Sequence, residues 1–257
     1  MNKFLNFFNK FEVSPFATIF IFFTLLTNSY KLFFIYFLIT FIHELGHVLV
    51  AKLFKLKITK IKLLAIGFNA EIDNLDYTDS IKELLISVAG PLTYFISIYL
   101  LKYLYKVDFI SYNAFIQANQ INKFNLLFNL LPIIPLDGGR ILKIINDNFF
   151  TSKKSMTITT IFSIIFTIIF IYYTRNTPQW LVYIFLIITN ILFIININKK
   201  WKLFLINRLT IINRYKMKIH SKKDIYRNKN NYVIKKGKIM NEKETIIRLL
   251  KEWYYLK

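Results

Sequence analysis

Two histidines and a glutamate lie together in one apolar stretch of the chain. His43, Glu44 and His47 form the pattern His-Glu-Leu-Gly-His. On an α-helix, residues four apart lie on nearly the same face and about 6 Å apart along the axis, so both imidazoles can bind one zinc ion at about 2.0–2.1 Å. Zinc lowers the pKa of its bound water to about 7, and the Glu44 carboxylate lies beside this face, where it can accept the proton. The pattern predicts a hydrolytic zinc site with Glu44 as general base.

The surroundings of this motif favour chemistry over a purely structural role. It lies in an apolar run of membrane-span length, where ionisable side chains are costly and usually functional. The chain has 3 histidines, and the third, His220, is a poor ligand candidate because it lies in a basic tail. The alternative interpretation is a polar cluster that joins helices through hydrogen bonds.

A zinc ion held by two histidines needs a third protein ligand and leaves one position for water. Asp137 follows an apolar run that contains Pro132 and Pro135, and it precedes Gly138 and Gly139. The prolines stop a helix, and broken helices at membrane depth occur where they line a cavity. From the residues alone, Asp137 is either an inward-facing ligand or the cap of a helix that begins near Gly138.

The elements that must position these residues are membrane-spanning helices. Of the 257 residues, 55% are hydrophobic, and they occur in blocks long enough to cross roughly 30 Å of hydrocarbon. The blocks lie at 15–28, 32–54, 83–103, 157–173 and 179–197, and a more polar candidate at 109–131 carries Asn122, Asn125 and Asn129 on one face. We therefore expect an all-α polytopic membrane protein with six transmembrane helices.

The positive charge of the chain is concentrated at its C-terminal end. Residues 199–257 carry 18 of the 35 Lys and Arg residues but 4 of the 14 acids. Basic segments beside a span stay in the cytoplasm and are attracted to anionic lipid. We expect a membrane-embedded domain at 1–198, a small basic cytosolic tail at 199–257, and both termini in the cytoplasm. Lipid attraction explains the charge of the tail, so no nucleic-acid partner is expected.

Two short segments outside the spans carry local signals. Residues 57–72 are rich in β-branched residues around Gly67, which favours either a short membrane-associated β-hairpin or a disordered loop. In the tail, Asn241 can cap a helix that has Glu242 and Glu244 in its first turn. The absence of cysteine excludes a disulfide framework and a thiolate metal site.

Together, these motifs resemble a known family. The string HELGH in an early span, with Asn129–Arg140 (NLLPIIPLDGGR) in a later one, is similar to the site-2 protease family of intramembrane zinc metalloproteases, peptidase M50. The string SVAGPLTYF around Gly90 and Pro91 extends the resemblance over roughly residues 30–150. It implies one zinc ion per chain, with Asp137 as the third ligand, and it implies that Asn129 and Pro135 hold the substrate.

The six-span plan most resembles the members of this family that act in sporulation. This implies a membrane-associated pro-sigma factor as substrate and inhibitory membrane proteins as partners. Such members commonly end in a paired CBS domain that senses nucleotide, but the tail from Lys199 to Lys257 is too short for one. Tyr232–Leu250 resembles the strand–turn–helix end of a truncated CBS-like remnant. A zinc-binding membrane transporter or receptor without proteolytic activity is the alternative function.

Overall fold

The computed structural model describes residues 11–15, 18, 30–64, 67–177, 179–210, 215–222, 224–235 and 237–255. The chain divides into two compact units, Met1–Leu130 and Leu131–Lys257. The first predicted span, 15–28, falls almost wholly outside the described residues.

The first unit combines helices with a small sheet. Its described elements are β1 (Phe11–Val13), α1 (Tyr30–Leu53), β2 (Ile58–Leu64), β3 (Gly67–Ile72), a short 3-10 helix (Leu75–Tyr77), α2 (Ser80–Lys106) and α3 (Tyr112–Asn129). Strands β2 and β3 pair in antiparallel fashion, which confirms the hairpin and excludes the disordered loop. The sequence did not predict β1, which pairs in parallel with β2.

Side-chain caps mark the starts of α2 and α3, and a left-handed residue follows the end of α1. The Asp79 carboxylate accepts a hydrogen bond from the Ile81 amide at 3.5 Å at the start of α2, and Ser111 Oγ accepts one from the Ala114 amide at 3.3 Å at the start of α3. After α1, Lys55 adopts a left-handed φ of 59°, and the chain turns into β2. These turns bring the sheet back against the helix that precedes it.

Apolar packing holds α1 against both the sheet and α2. Val48 of α1 forms a buried cluster with Ile58 and Ile61 of β2. One turn further along α1, Ala51 forms a second buried cluster with Leu75 and with Ile86 of α2. The helix that carries the His-Glu-Leu-Gly-His motif is therefore packed on two sides.

The second unit contains helices and a small C-terminal sheet. Its described elements are α4 (Asp137–Phe149), α5 (Ser152–Thr174), α6 (Trp180–Thr210), β4 (Met217–His220), β5 (Asn230–Lys235), β6 (Lys238–Met240) and α7 (Glu242–Tyr255). The predicted cap of α7 is confirmed, because Asn241 Oδ1 accepts a hydrogen bond from the Glu244 amide at 2.9 Å and the Glu244 carboxylate accepts one from the Asn241 amide at 3.3 Å.

Four described helices, α1, α2, α5 and α6, are long and apolar enough to cross a membrane. The predicted polar span at 109–131 forms helix α3, but its amides leave it outside this apolar group. The described part of the chain is thus mostly helical, with candidate spans and two small sheets. Six crossings and cytoplasmic termini stay predictions.

The C-terminal segment is hydrogen-bonded to the ends of the helices before it. The Ile225 carbonyl accepts a hydrogen bond from the Ser152 amide at 2.8 Å, and the Asp224 carboxylate accepts one from the Lys153 amide at 2.7 Å and another from Trp201 Nε1 at 2.8 Å. Helix α6 continues to Thr210, beyond the predicted boundary at 198. The division into a membrane domain and a separate tail stays a prediction.

A buried ion pair also ties this segment to α4. Arg227 Nη1 donates to Asp147 Oδ2 at 3.0 Å, with side chains 4% and 1% exposed, and Lys143 lies 3.1 Å from the same oxygen. Burial alone would raise the pKa of the Asp147 carboxyl, but the nearby charges of Lys143 and Arg227, together with hydrogen bonds from Ser155 and Arg227, outweigh it and hold the pKa below its ordinary value. The two cations keep the buried carboxylate ionised.

Arg227→Ala is expected to lower the free energy of unfolding of the detergent-solubilised protein by about 3 kcal/mol, because it removes the closest guanidinium from a buried carboxylate. Since the pKa of Asp147 is lowered by folding, its contribution is present above the ordinary aspartate pKa near 4 and is lost as pH falls through the lowered value. Chemical denaturation between about pH 7 and 3 measures both effects. As a control, Arg248→Ala removes an exposed pair with Glu252 and should change stability by less than about 0.5 kcal/mol. Equal losses in the two variants would contradict the importance of the buried pair.

Candidate metal centre

The two motif histidines present the same ring nitrogen to one point. His43 and His47 lie one helical turn apart on α1, and their side chains are 6% and 7% exposed. Their Nε2 atoms are 3.2 Å apart. Two nitrogens that bind one tetrahedral zinc at about 2.0–2.1 Å must lie roughly 3.3 Å from each other. The observed separation therefore fits two ligands of one ion.

A backbone carbonyl sets the tautomer of His47. Its Nδ1 lies 2.7 Å from the Ile86 carbonyl of α2. A carbonyl oxygen only accepts, so Nδ1 carries the proton and donates it, and Nε2 keeps its lone pair. Metal-binding histidines are commonly oriented by such a bond from the second ring nitrogen. His47 is therefore held in the form that can bind a metal through Nε2.

Glu44 is oriented by the sheet. Its Oε2 accepts a hydrogen bond from the Ala70 amide of β3 at 3.1 Å, and the side chain is half-buried. One ligand atom from each of His43, Glu44 and His47 lies within 4.8 Å of the others. The carboxylate thus lies beside the two imidazoles, in the position that a proton acceptor for an attacking water requires.

Two glycines make room for this arrangement. A Cβ atom added to Gly46 would lie 2.7 Å from the Ala89 carbonyl oxygen, and one added to Gly90 would lie 2.2 Å from His47 Nε2 and 2.8 Å from His43 Nε2. All three distances are shorter than real Cβ contacts, so side chains at these positions would collide with α2 or with the imidazoles. The close approach of α1 and α2 and the space beside the ring nitrogens both depend on glycine.

The other residues predicted for the site lie in different places along the chain. Asp137 is the first residue of α4 in the second unit, and Pro135 lies just before it. Asn129 ends α3 in the first unit, and its Nδ2 donates to the backbone carbonyl and the side-chain oxygen of Asn125 at 3.0 Å each. The roles of Asp137, Asn129 and Pro135 remain predictions.

His220 has a structural setting in the second unit. Its Nε2 lies 3.1 Å from Asn231 Oδ1, and its ring packs edge-on against Tyr226. The residue is half-buried. These contacts are those of an imidazole that joins strand β4 to strand β5.

Three groups that shape this centre could not be assigned their roles from the sequence. The Ile86 carbonyl and the Ala70 amide belong to the backbone, so residue types do not reveal them. Gly90 was noted as part of a matching string, but its contact with the imidazoles requires the packing of α2 on α1. That a glycine lies opposite the histidine pair becomes visible only once the two helices are packed together.

Comparison with known proteins finds similarity to membrane-associated metalloproteases. No protein-family model matches the chain. It is similar to stage IV sporulation protein FB of Bacillus subtilis (strain 168), with 35% identity over 142 residues, which are 55% of this chain and 49% of that protein. It is also similar to a zinc metalloprotease of Methanocaldococcus jannaschii, with 38% identity over 130 residues, 49% of this chain and 38% of that protein. The chain thus spans about half the length, or less, of these curated relatives.

A solved structure has the same fold. The site-2 protease from Methanocaldococcus jannaschii superposes with a TM-score of 0.53 at 30% sequence identity. The match covers 70% of this chain and 88% of that one.

Gly90→Ala is expected to weaken zinc binding by at least about tenfold, because the added methyl group would occupy the space beside both Nε2 atoms. Competition with a chromogenic chelator measures the affinity of the purified protein. Leu92→Ala, at an exposed position two residues along the same helix, is the control and should bind zinc as the unaltered protein does. Normal zinc affinity in Gly90→Ala would show that the ion does not lie beside these nitrogens.

Proposed function

This chain belongs to the site-2 protease family, and from that membership we propose that it is an intramembrane zinc metalloprotease. It would hydrolyse a peptide bond in or near a membrane segment of a protein substrate. The observation that carries the proposal is the 3.2 Å separation of the two Nε2 atoms beside the Glu44 carboxylate. The same separation also suits a hydrogen bond between the two rings, and the Glu44 carboxylate beside them supports the metal site over such a cluster.

We assign one zinc ion per chain to His43, His47 and Asp137. The nitrogen pair of α1 supports the first two ligands. The match of the string around Asp137 to the family pattern supports the third, and its carboxylate adds the negative charge that a pair of neutral imidazoles lacks. When bound, zinc supplies Lewis-acid polarisation of the scissile carbonyl and a nucleophilic water at neutral pH.

Glu44 would act as general base. Its carboxylate accepts the proton of the attacking water and then passes it to the amine that leaves. The Ala70 amide keeps one oxygen in place through the hydrogen bond at 3.1 Å. His47 contributes orientation as well as binding, since its Nδ1 proton is committed to the Ile86 carbonyl.

The substrate would bind in an extended form. A transmembrane helix hides its carbonyls in its own hydrogen bonds and must unwind before hydrolysis. Strand β3 is an edge strand of the sheet formed by the described residues, and its Ala70 amide touches the proposed base. An unwound segment that pairs along this edge would carry its peptide bonds past Glu44. Asn129 and Pro135 would help to hold it there.

The similarity to stage IV sporulation protein FB suggests the biological setting. We propose a membrane-associated pro-sigma factor as the substrate and inhibitory membrane proteins as partners. Both termini would lie in the cytoplasm, with the basic C-terminal segment against anionic lipid. The match covers about half of that relative, so the biological substrate and partners are a separate proposal from the hydrolytic chemistry.

Glu44→Gln is expected to keep zinc and to lower cleavage by at least about 100-fold, because an amide cannot accept the proton. The assay is co-reconstitution with a membrane-attached pro-protein reporter, followed by gel analysis of the products and a zinc count on the same sample. Glu252→Gln makes the same change at an exposed position of α7 and should leave the rate unaltered. Normal cleavage by Glu44→Gln would remove Glu44 from its role, and zinc transport into vesicles without any cleavage would favour a carrier.

Asp137→Asn is expected to weaken zinc binding by about 10–100-fold, because it exchanges an anionic ligand for a neutral amide. Chelator competition gives the dissociation constant without need of a substrate. Asp108→Asn is the matched control, since Asp108 is exposed and has a left-handed backbone that asparagine tolerates. An unchanged dissociation constant for Asp137→Asn would mean that another group completes the ligand set.

A further inference from the structure

The loop before α4 has few hydrogen-bond donors of its own. It runs from Leu131 to Leu136, and Pro132 and Pro135 have no amide hydrogen. Of the two isoleucines between them, the Ile133 amide donates to the Leu131 carbonyl at 2.7 Å, inside the loop. The Ile134 amide, in contrast, donates to a group outside the loop.

That amide donates to a serine on a membrane helix. Ile134 N lies 2.8 Å from Ser163 Oγ of α5, and Ser163 is fully buried. The Ile134 carbonyl lies 3.4 Å from Thr189 Oγ1 of α6, but the single proton of that hydroxyl has closer acceptors in α6 itself, at 2.9 and 3.0 Å. The Ile134 amide therefore makes the firm attachment of this residue, and it is to α5.

The serine is itself fixed by a buried amide. Its hydroxyl donates to Asn190 Oδ1 of α6 at 2.5 Å. Asn190 Nδ2 donates to Thr167 Oγ1 at 3.2 Å and to the Leu186 carbonyl at 2.8 Å, so its donors and its acceptor are all used. Thr167 Oγ1 in turn donates to the Ser163 carbonyl at 2.8 Å. Since the serine proton goes to Asn190, its lone pair is aimed at the Ile134 amide.

The Leu131–Leu136 loop packs closely against the first turn of α4. A Cβ atom on Gly139 would lie 2.5 Å from the Ile133 carbonyl oxygen, and the Leu136 amide donates to that carbonyl at 2.8 Å. Asp137 follows Leu136 directly and begins α4. A shift of Ile134 would therefore be transmitted over three residues to the Asp137 backbone.

We propose that Ser163, Asn190 and Thr167 are positioning residues that hold the Leu131–Leu136 loop, and through it the Asp137 carboxylate, in the geometry required to bind zinc. The proposal rests on the proposed function for the role of Asp137. Polar residues on two membrane helices often join those helices to each other. Here the network continues past the helix pair to a loop amide, which helix association by itself does not require.

Two measurements test the proposal on the detergent-solubilised protein. Ser163→Ala is expected to raise amide hydrogen exchange in the peptide that contains Ile134 by at least about tenfold, and to weaken zinc binding by about tenfold. Ser155→Ala is the matched control, because Ser155 is an equally buried serine of α5 that donates to the Lys143 carbonyl and not to the loop. It should leave both measurements near those of the unaltered protein.

A second matched pair avoids the risk that Ser163→Ala fails to fold. Thr167→Val and Thr160→Val both remove a buried threonine hydroxyl that donates to the carbonyl four residues earlier, but only Thr167 also accepts from Asn190. Thr167→Val should show a smaller rise in exchange, of about threefold, and Thr160→Val none.

The outcomes separate this proposal from the proposed function. Unchanged exchange in both Ser163→Ala and Thr167→Val would overturn the positioning role. Raised exchange with unaltered zinc affinity would also overturn it, provided that Asp137→Asn does weaken zinc. If Asp137→Asn leaves zinc affinity unchanged, the ligand assignment fails, and the exchange data alone then decide whether the network holds the loop.

Discussion

The close approach of α1 and α2 is the constraint on which the metal centre depends. Helices in a bilayer gain little from hiding apolar surface from one another, so they associate through small residues that bring their backbones together. Gly46 supplies this contact, because its α-carbon faces the Ala89 carbonyl with no space for a side chain. The same approach places the Ile86 carbonyl at His47 Nδ1 and leaves Gly90 opposite both Nε2 atoms. Without it, the imidazoles would have neither a fixed tautomer nor a common point to face.

Polar side chains that are buried in the protein each require a hydrogen-bond or ion-pair partner. Glu44 meets the Ala70 amide of an edge strand, and Asp147 meets two cations. These solutions differ in their consequences. The Asp147 pair is a structural contact that holds the C-terminal segment to α4. The Ala70 amide donates to Glu44 Oε2 and so orients the carboxylate that we propose as the general base.

The sequence predicted what depends on residue type and spacing. The hairpin around Gly67 and the α7 cap at Asn241 follow from residue pattern and local hydrogen bonding, and the structure confirms both. The spacing of His43 and His47 likewise predicts that their rings meet, and their Nε2 atoms lie 3.2 Å apart, while their role as metal ligands stays a prediction. It could not predict contacts made by backbone atoms, such as those of Ile86 and Ala70, because any residue offers the same groups. Strand β1 was missed for a related reason: three residues carry too little pattern, and their pairing with β2 arises only once the hairpin exists.

The proline-rich loop before α4 shows how backbone contacts can hold the chain beside the proposed ligand Asp137. Irregular backbone at membrane depth is tolerated only where its polar groups find partners. Proline makes the loop stiff, but it also removes donors, so the few amides that remain carry the attachment. In this chain the Ile134 amide meets a hydroxyl on α5, and Asn190 of α6 fixes the direction of that hydroxyl. A helix pair that carries no recognised motif can therefore contribute to the geometry of a site through hydrogen bonds to a single peptide unit. That contribution leaves no trace in the motif, since isoleucine at that position would look like any other apolar residue.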